Sequence, residues 1–81
     1  MGRKICYTDL VYVRINKKLS LNFSKDDIEK MIHSIIRETH EPGFEKKGKN
    51  IYITNEKRNV RLTINSFTNR IITADDLDKK Q

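Results

Sequence analysis

The sequence predicts an α+β domain: two N-terminal helices packed on one face of a three-stranded antiparallel β-meander. Three observations carry that expectation. Ile28, Met31, Ile32, Ile35 and Ile36 repeat at helical spacing in the first half of the chain. Three runs rich in β-branched residues follow in the second half, separated by turn-type stretches. The helical segments precede the strand segments without alternating with them, which is the pattern of segregated layers.

Taken in order, Met1 to Tyr7 is a short lead in which Ile5 and Tyr7 are expected to tuck under the domain. Thr8 and Asp9 are N-cap types, and Val11, Ile15 and Leu19 recur at i, i+4 and i+8, which predicts a helix over 9–19. Leu10 and Tyr12 are expected to broaden its apolar stripe, with Arg14, Lys17 and Lys18 on the outer face. The alternation Val11, Val13, Ile15 is the competing strand reading, because β-branched residues are disfavoured in helices. The second helix is expected over 25–39. Ser24 with Asp27 three residues on resembles a capping box, and Asp26 and Asp27 suit the positive end of the helix dipole. Pro42 ends it. Leu21 and Phe23 are expected to close the space between the helices.

Strands are expected at 50–54, 60–66 and 70–75, with a frayed tail at 76–81 anchored by Leu77. Pairing Ile53 with Val60 sets Ile51 opposite Leu62, and Ile64 opposite Ile71 brings Thr73 beside Leu62. Ile51, Ile53, Val60, Leu62, Ile64 and Ile71 then share one apolar face, which the helices must cover. Asn50, Tyr52, Arg61, Thr63, Asn65, Arg70 and Ile72 share the other, with Tyr52 opposite Arg61 and Asn65 opposite Arg70. Phe44 to Lys49 reads as a basic loop, anchored by Phe44 and turned onto the sheet by Gly48.

An 81-residue chain makes one domain and buries roughly 60% of its unfolded surface. The single Cys6 excludes an internal disulfide and suits a reducing cytosol, and no apolar run approaches the length of a membrane span. The N-terminal stretch has no apolar signal-peptide segment. A cytoplasmic, non-membrane protein is therefore expected. The net charge of +6 is unevenly spread: residues 1–24 carry a net of +4, 25–41 a net of −2, 42–70 a net of +5 and 71–81 a net of −1. Basic charge on the lead, first helix and sheet favours a polyanionic partner, with nucleic acid, and RNA in particular, the first expectation. The competing reading is a merely solubilising surface.

No metal site is expected, since His33 and His40 are seven residues apart and no paired ligand spacing occurs. Phosphate-loop and dinucleotide glycine patterns are absent, and no cofactor is implied. Cys6 lies near no dependable base. What remains is metal-independent acid–base chemistry, for which RNA cleavage is suited because the 2′-hydroxyl is an internal nucleophile. Arg61, Arg70 and Tyr52 would supply charge and donors, and His40 the base. The same residues also read as ordinary cross-strand pairs that stabilise a sheet. The wider nucleic-acid set is Lys46, Lys47, Lys49, Asn50, Tyr52, Arg61, Thr63, Asn65 and Arg70.

The runs ICYTDLVYVRINKKL and NVRLTINSFTNRIITADDL resemble a family of short bacterial domains of unknown function, over nearly the whole chain. That resemblance implies no activity. More distantly, the element order, the arginine on the middle strand and the last strand Arg70-Ile71-Ile72-Thr73 resemble RelE/ParE-like toxins and the barnase–colicin–RelE ribonucleases. That likeness implies RNA on the open sheet face, Arg61 and Arg70 at the phosphate, and a cognate antitoxin, although the three expected strands leave out the fourth that is common in that group. Two function classes stand: a small RNA-binding, toxin-like ribonuclease, and a non-catalytic phage- or mobile-element-encoded inhibitor. The second, anti-CRISPR-like, would bind a nucleoprotein or its nucleic-acid channel. A homodimer through an exposed edge strand at 50–54 is a further expectation.

Overall fold

The computed structural model describes residues 5–78; the expected lead before Ile5 and the end of the expected tail, Lys79 to Gln81, lie outside them. The order is α1 (Asp9–Leu19), α2 (Lys25–Glu38), a 3-10 turn (Glu41–Gly43), then β1 (Phe44–Lys47), β2 (Asn50–Asn55), β3 (Val60–Asn65) and β4 (Arg70–Asp76). The strands form one antiparallel sheet in the order β1-β2-β3-β4. The α+β class holds, but the meander has four strands where three were expected. No helix is long and apolar enough to cross a membrane among the described residues.

The missed strand is β1. Its sequence, FEKK, has no apolar alternation, and all four residues stay exposed. A strand with no buried face leaves no period in the sequence. It forms because Gly48 takes φ +60°, so that Gly48 and Lys49 make a two-residue loop and return the chain with Lys47 opposite Asn50. The consequence for the expected homodimer is direct. The 50–54 segment lies inside the sheet between β1 and β3, and the free edge is β1. At the other edge, Cys6 pairs with Arg70 as an isolated parallel bridge, through Cys6 N–H to Asn69 O (2.8 Å) and Ile71 N–H to Cys6 O (3.0 Å).

The helices form for the reasons the sequence carries. Ser24 Oγ accepts from Asp27 N–H at 3.2 Å, and Ile28, Ile32 and Ile35 bury one stripe of α2. In α1 only Val11 and Ile15 are buried. Leu10 was expected on that stripe but is 77% exposed, because one residue's step is about 100° and carries it past the edge of the buried arc. Leu21 and Phe23 close the inter-helix gap less than expected, and Phe23 stays 40% exposed. Asn16 ties that connection instead, donating from Nδ2 to Phe23 O and accepting from Phe23 N–H on Oδ1, both at 3.0 Å. Tyr12 joins the two helices by donating to Glu29 at 2.5 Å, with Tyr7 stacked on it and Lys25 Nζ 5.3 Å from its ring centre.

That clasp has a pH signature. The hydrogen bond to Glu29, then burial, pushes the Tyr12 phenol up to about 12. The folded state holds this proton more tightly than the unfolded chain. Its contribution is complete below the ordinary tyrosine value of about 10 and is lost as pH rises through about 12. In Glu29→Ala, the alkaline tyrosine titration is expected to gain a phenol ionising closer to the ordinary value. A titration curve identical to that of the unmodified chain would refute the clasp.

The core is continuous: Val11, Ile15, Ile28, Ile32 and Ile35 from the helices meet Ile53, Val60, Leu62, Ile64, Ile71 and Ala74 from the sheet. Ile51 and Tyr7 pack at its border. Every residue assigned to the apolar face therefore points the right way, although pairings in both hairpins differ from those expected. In the first hairpin Ile53 lies opposite Leu62 and Asn55 opposite Val60, a shift of two residues. The turn starts one residue later than expected because Asn55 Oδ1 accepts from Arg58 N–H at 2.9 Å and Asn59 takes φ +60°. A two-residue shift preserves parity, so the faces survive. Asn55 itself turns inward, 6% exposed, and is satisfied by donating to Thr39 Oγ1 at 3.1 Å.

In the second hairpin Ile64 pairs with Ile71 as expected, but a bulge opposite the Thr63–Ile64 step leaves Ile72 as the extra residue. Thr63 then pairs with Thr73, and Ala74, not Thr73, lies beside Leu62. The bulge reverses the phase of β4, which is how Ile71 and Ala74 both reach the core. The two turns share one device, Asn-x-x-x-Asn. Asn65 Oδ1 caps Phe67 and Thr68 N–H (2.8 and 3.1 Å) as Asn55 caps Arg58, and Asn69, like Asn59, sits at left-handed φ (+58°).

Candidate nucleic-acid interface

The face of the sheet opposite the helices is uncovered, and the register sorts it into three transverse rows. Lys47, Asn50, Asn65 and Arg70 align across all four strands at one end. Glu45, Tyr52, Thr63 and Thr73 form the middle row, and Thr54, Arg61 and Asp75 the far row. Neighbouring strands lie about 4.8 Å apart, so Lys47 and Arg70 bracket the first row at about 14 Å. Asn50 Nδ2 donates to Tyr52 Oη at 3.4 Å, which places the phenol beside that row.

This arrangement separates residues that the sequence reading grouped. Arg61 does not face Tyr52; it lies opposite Thr54, to whose Oγ1 it donates from Nε at 3.1 Å, and opposite Asp75. Along β3 it is four residues from Asn65, the partner of Arg70, so the two guanidiniums stem from points roughly 13 Å apart on the strand axis. The two-residue register shift explains the change, because it moves Arg61 toward the β2–β3 turn. His40 caps the 3-10 turn and borders an open groove of about 450 Å³ with Thr39, Pro42, Thr54 and Lys57. That groove is at the Arg61 end, away from Arg70. Arg61, Arg70, Tyr52 and His40 are thus not one constellation.

The other expected contacts are placed as follows. Lys46 pairs with Ile51 and so alternates to the helix side of the sheet, and Lys49 sits in the β1–β2 turn. Thr63 is on the open face but only 8% exposed, shaded between its neighbours in the middle row. Asn65 spends its carbonyl oxygen on the β3–β4 turn. Two carboxylates that the sequence reading left out belong to this face, Glu45 opposite Tyr52 and Asp75 opposite Arg61. Asp75 is bound to Lys18 of α1 at 3.1 Å. Nothing in the sequence of β1 placed Glu45 there, because β1 itself carries no period.

Charge neutralisation elsewhere sharpens the pattern. Arg58 is engaged by Glu38 through two bonds of 2.8 and 3.1 Å, which hold the Glu38 carboxyl below its ordinary range, and Lys25 pairs with Asp9 at 3.6 Å. Lys47, Lys49 and Arg70 have no carboxylate partner among the described residues. No group of three metal-ligating side chains is assembled among the described residues.

A family model described as a protein of unknown function, DUF3781, matches residues 1–75. No curated protein and no solved structure matches the chain, so the likeness to RelE/ParE-like toxins has no support from either comparison.

Proposed function

We propose, for a chain that belongs to the DUF3781 family and so inherits no assigned activity, that the open sheet face binds single-stranded RNA without cleaving it. One observation carries this reading: an unpaired cation at each end of the Lys47–Asn50–Asn65–Arg70 row, with an aromatic ring beside it. Two lysine or arginine charges about 14 Å apart suit phosphates roughly two nucleotides apart on an extended strand. Tyr52 offers a base a stacking surface, and its hydroxyl with the Asn50 amide can both donate to and accept from a 2′-hydroxyl. The non-catalytic half of the proposal follows from the separation of His40 and Arg61 from this row. A general base would have to act on the phosphate held in this row, and His40 borders a groove at the opposite, Arg61 end of the sheet.

Fluorescence anisotropy with a short labelled RNA tests the reading. Affinity is expected to fall with salt at a slope near −0.7 per neutralised phosphate. The double variant Lys47→Ala/Arg70→Ala should flatten that slope by about 1.4. Tyr52→Ala should cost about 1–3 kcal/mol of binding, while Arg61→Ala leaves affinity nearly unchanged. Absence of binding at low salt, or an Arg61→Ala loss as large as that of Arg70→Ala, would refute the placement. Products with 2′,3′-cyclic phosphate ends would refute the non-catalytic part.

A further inference from the structure

The outer face of α1 carries two exposed aliphatic side chains beside two cations. Val11 and Ile15 face the core, and at 3.6 residues per turn Leu10, Val13 and Lys17 project to the opposite side. Leu10 is 77% and Val13 64% exposed, the two large aliphatic side chains left open to solvent among the described residues. With Arg14, Lys17, Asp75 and Asp76 they border a shallow groove of about 660 Å³. The polar rim is unevenly satisfied. Asp75 is held by Lys18 at 3.1 Å, and Asp76 accepts from Asn59 at 2.7 Å, whereas Arg14 and Lys17 have no carboxylate partner among the described residues.

We propose that this face docks an acidic amphipathic helix from a partner protein. Its apolar residues cover Leu10 and Val13, and its carboxylates pair with Arg14 and Lys17. The choice of occupant rests on charge. A second copy of the chain, brought on by a two-fold axis, would set Arg14 and Lys17 against their own counterparts, with Asp75 and Asp76 already engaged. An anionic bilayer would meet those same two carboxylates at the rim, and two aliphatic side chains give little to bury in lipid. A nucleic acid would leave Leu10 and Val13 uncovered against phosphate. A helix with one apolar stripe flanked by glutamates meets both the greasy and the cationic parts at once. The groove meets the open sheet face only at Asp75, which lies opposite Arg61, and the proposal does not depend on the RNA reading.

The probe is a synthetic helical peptide of about five turns, with leucines at i, i+3 and i+7 flanked by glutamates, and a counterpart with lysine in place of glutamate. Titration calorimetry with the full chain is expected to show one-to-one binding of the acidic peptide and about tenfold or weaker binding of the basic one. Leu10→Ser and Val13→Ser should each weaken the acidic peptide by about tenfold at unchanged melting temperature. Arg14→Glu/Lys17→Glu should exchange the preference toward the basic peptide. Equal affinity for both peptides, or none for the acidic one at millimolar concentration, would overturn the proposal. So would a concentration-dependent dimer that Leu10→Ser abolishes, or binding to phosphatidylglycerol vesicles that the same substitution removes.

Discussion

Leu62→Ala is expected to destabilise the protein by about 2–5 kcal/mol. Leu62 is fully buried at the centre of β3, with Ile53 opposite on one side and Ala74 on the other. Truncation removes the transfer energy of its methyl groups and leaves a cavity between the sheet and the isoleucines of α2. Neither neighbour can refill it, because Ala74 has no reach and Ile53 is held by its own strand. Thr63→Ala is the control. Thr63 is nearly as buried, at 8%, but it lies on the uncovered face, where side chains and water can relax into the gap. Its loss should stay near 1 kcal/mol or below. Urea denaturation reads both, as a fall in midpoint at constant slope. Equal costs for the two substitutions would mean that the faces of β3 are misassigned.

Gly43→Ala is expected to cost about 1–3 kcal/mol or more, by a mechanism unrelated to glycine flexibility. A Cβ at Gly43 would come 2.5 Å from the carbonyl oxygen of Thr54 and 2.6 Å from Thr39 Cγ2. The first of these atoms belongs to the backbone of β2, where Thr54 is paired with Arg61 of β3, and cannot swing away as a side chain could. Thr39 is itself pinned, donating to Ile35 O at 2.6 Å and accepting from Asn55 at 3.1 Å. The 3-10 turn would therefore be forced off β2, carrying β1 and Lys47 with it. Gly48→Ala gives the comparison. It meets no atom within 4 Å but keeps φ at +60°, so its cost should be about 1 kcal/mol. If the RNA face is as proposed, Gly43→Ala should also weaken RNA binding by displacing Lys47, whereas a variant with native stability and native binding would contradict the close approach.

Most of the core was legible in the sequence, because burial on one side of a helix or strand imposes a period; Leu10 and Ala74 are the exceptions. Ile28, Ile32 and Ile35 carry a spacing of three and four, and Ile51, Ile53, Val60, Leu62 and Ile64 carry a spacing of two. A pairing shift by two residues could not change their side of the sheet. The Ser24 cap and the stop before Pro42 were legible for the same kind of reason, since each is a local requirement of backbone geometry.

What only the tertiary structure decided is everything that depends on how separate segments meet. β1 exists because a glycine turn returns an unpatterned basic segment to β2, and no property of Phe44 to Lys47 alone announces that. The two Asn-x-x-x-Asn turns set where each hairpin closes, and that placement took Arg61 away from Tyr52 while leaving Arg70 opposite Asn65. The bulge at Ile72 set Ala74, and not Thr73, beside Leu62 and so brought Ala74 into the core. Periodicity specifies which side a residue faces, whereas register and turn closure specify which residue it stands beside. A binding row such as Lys47–Asn50–Asn65–Arg70 is a property of the second kind.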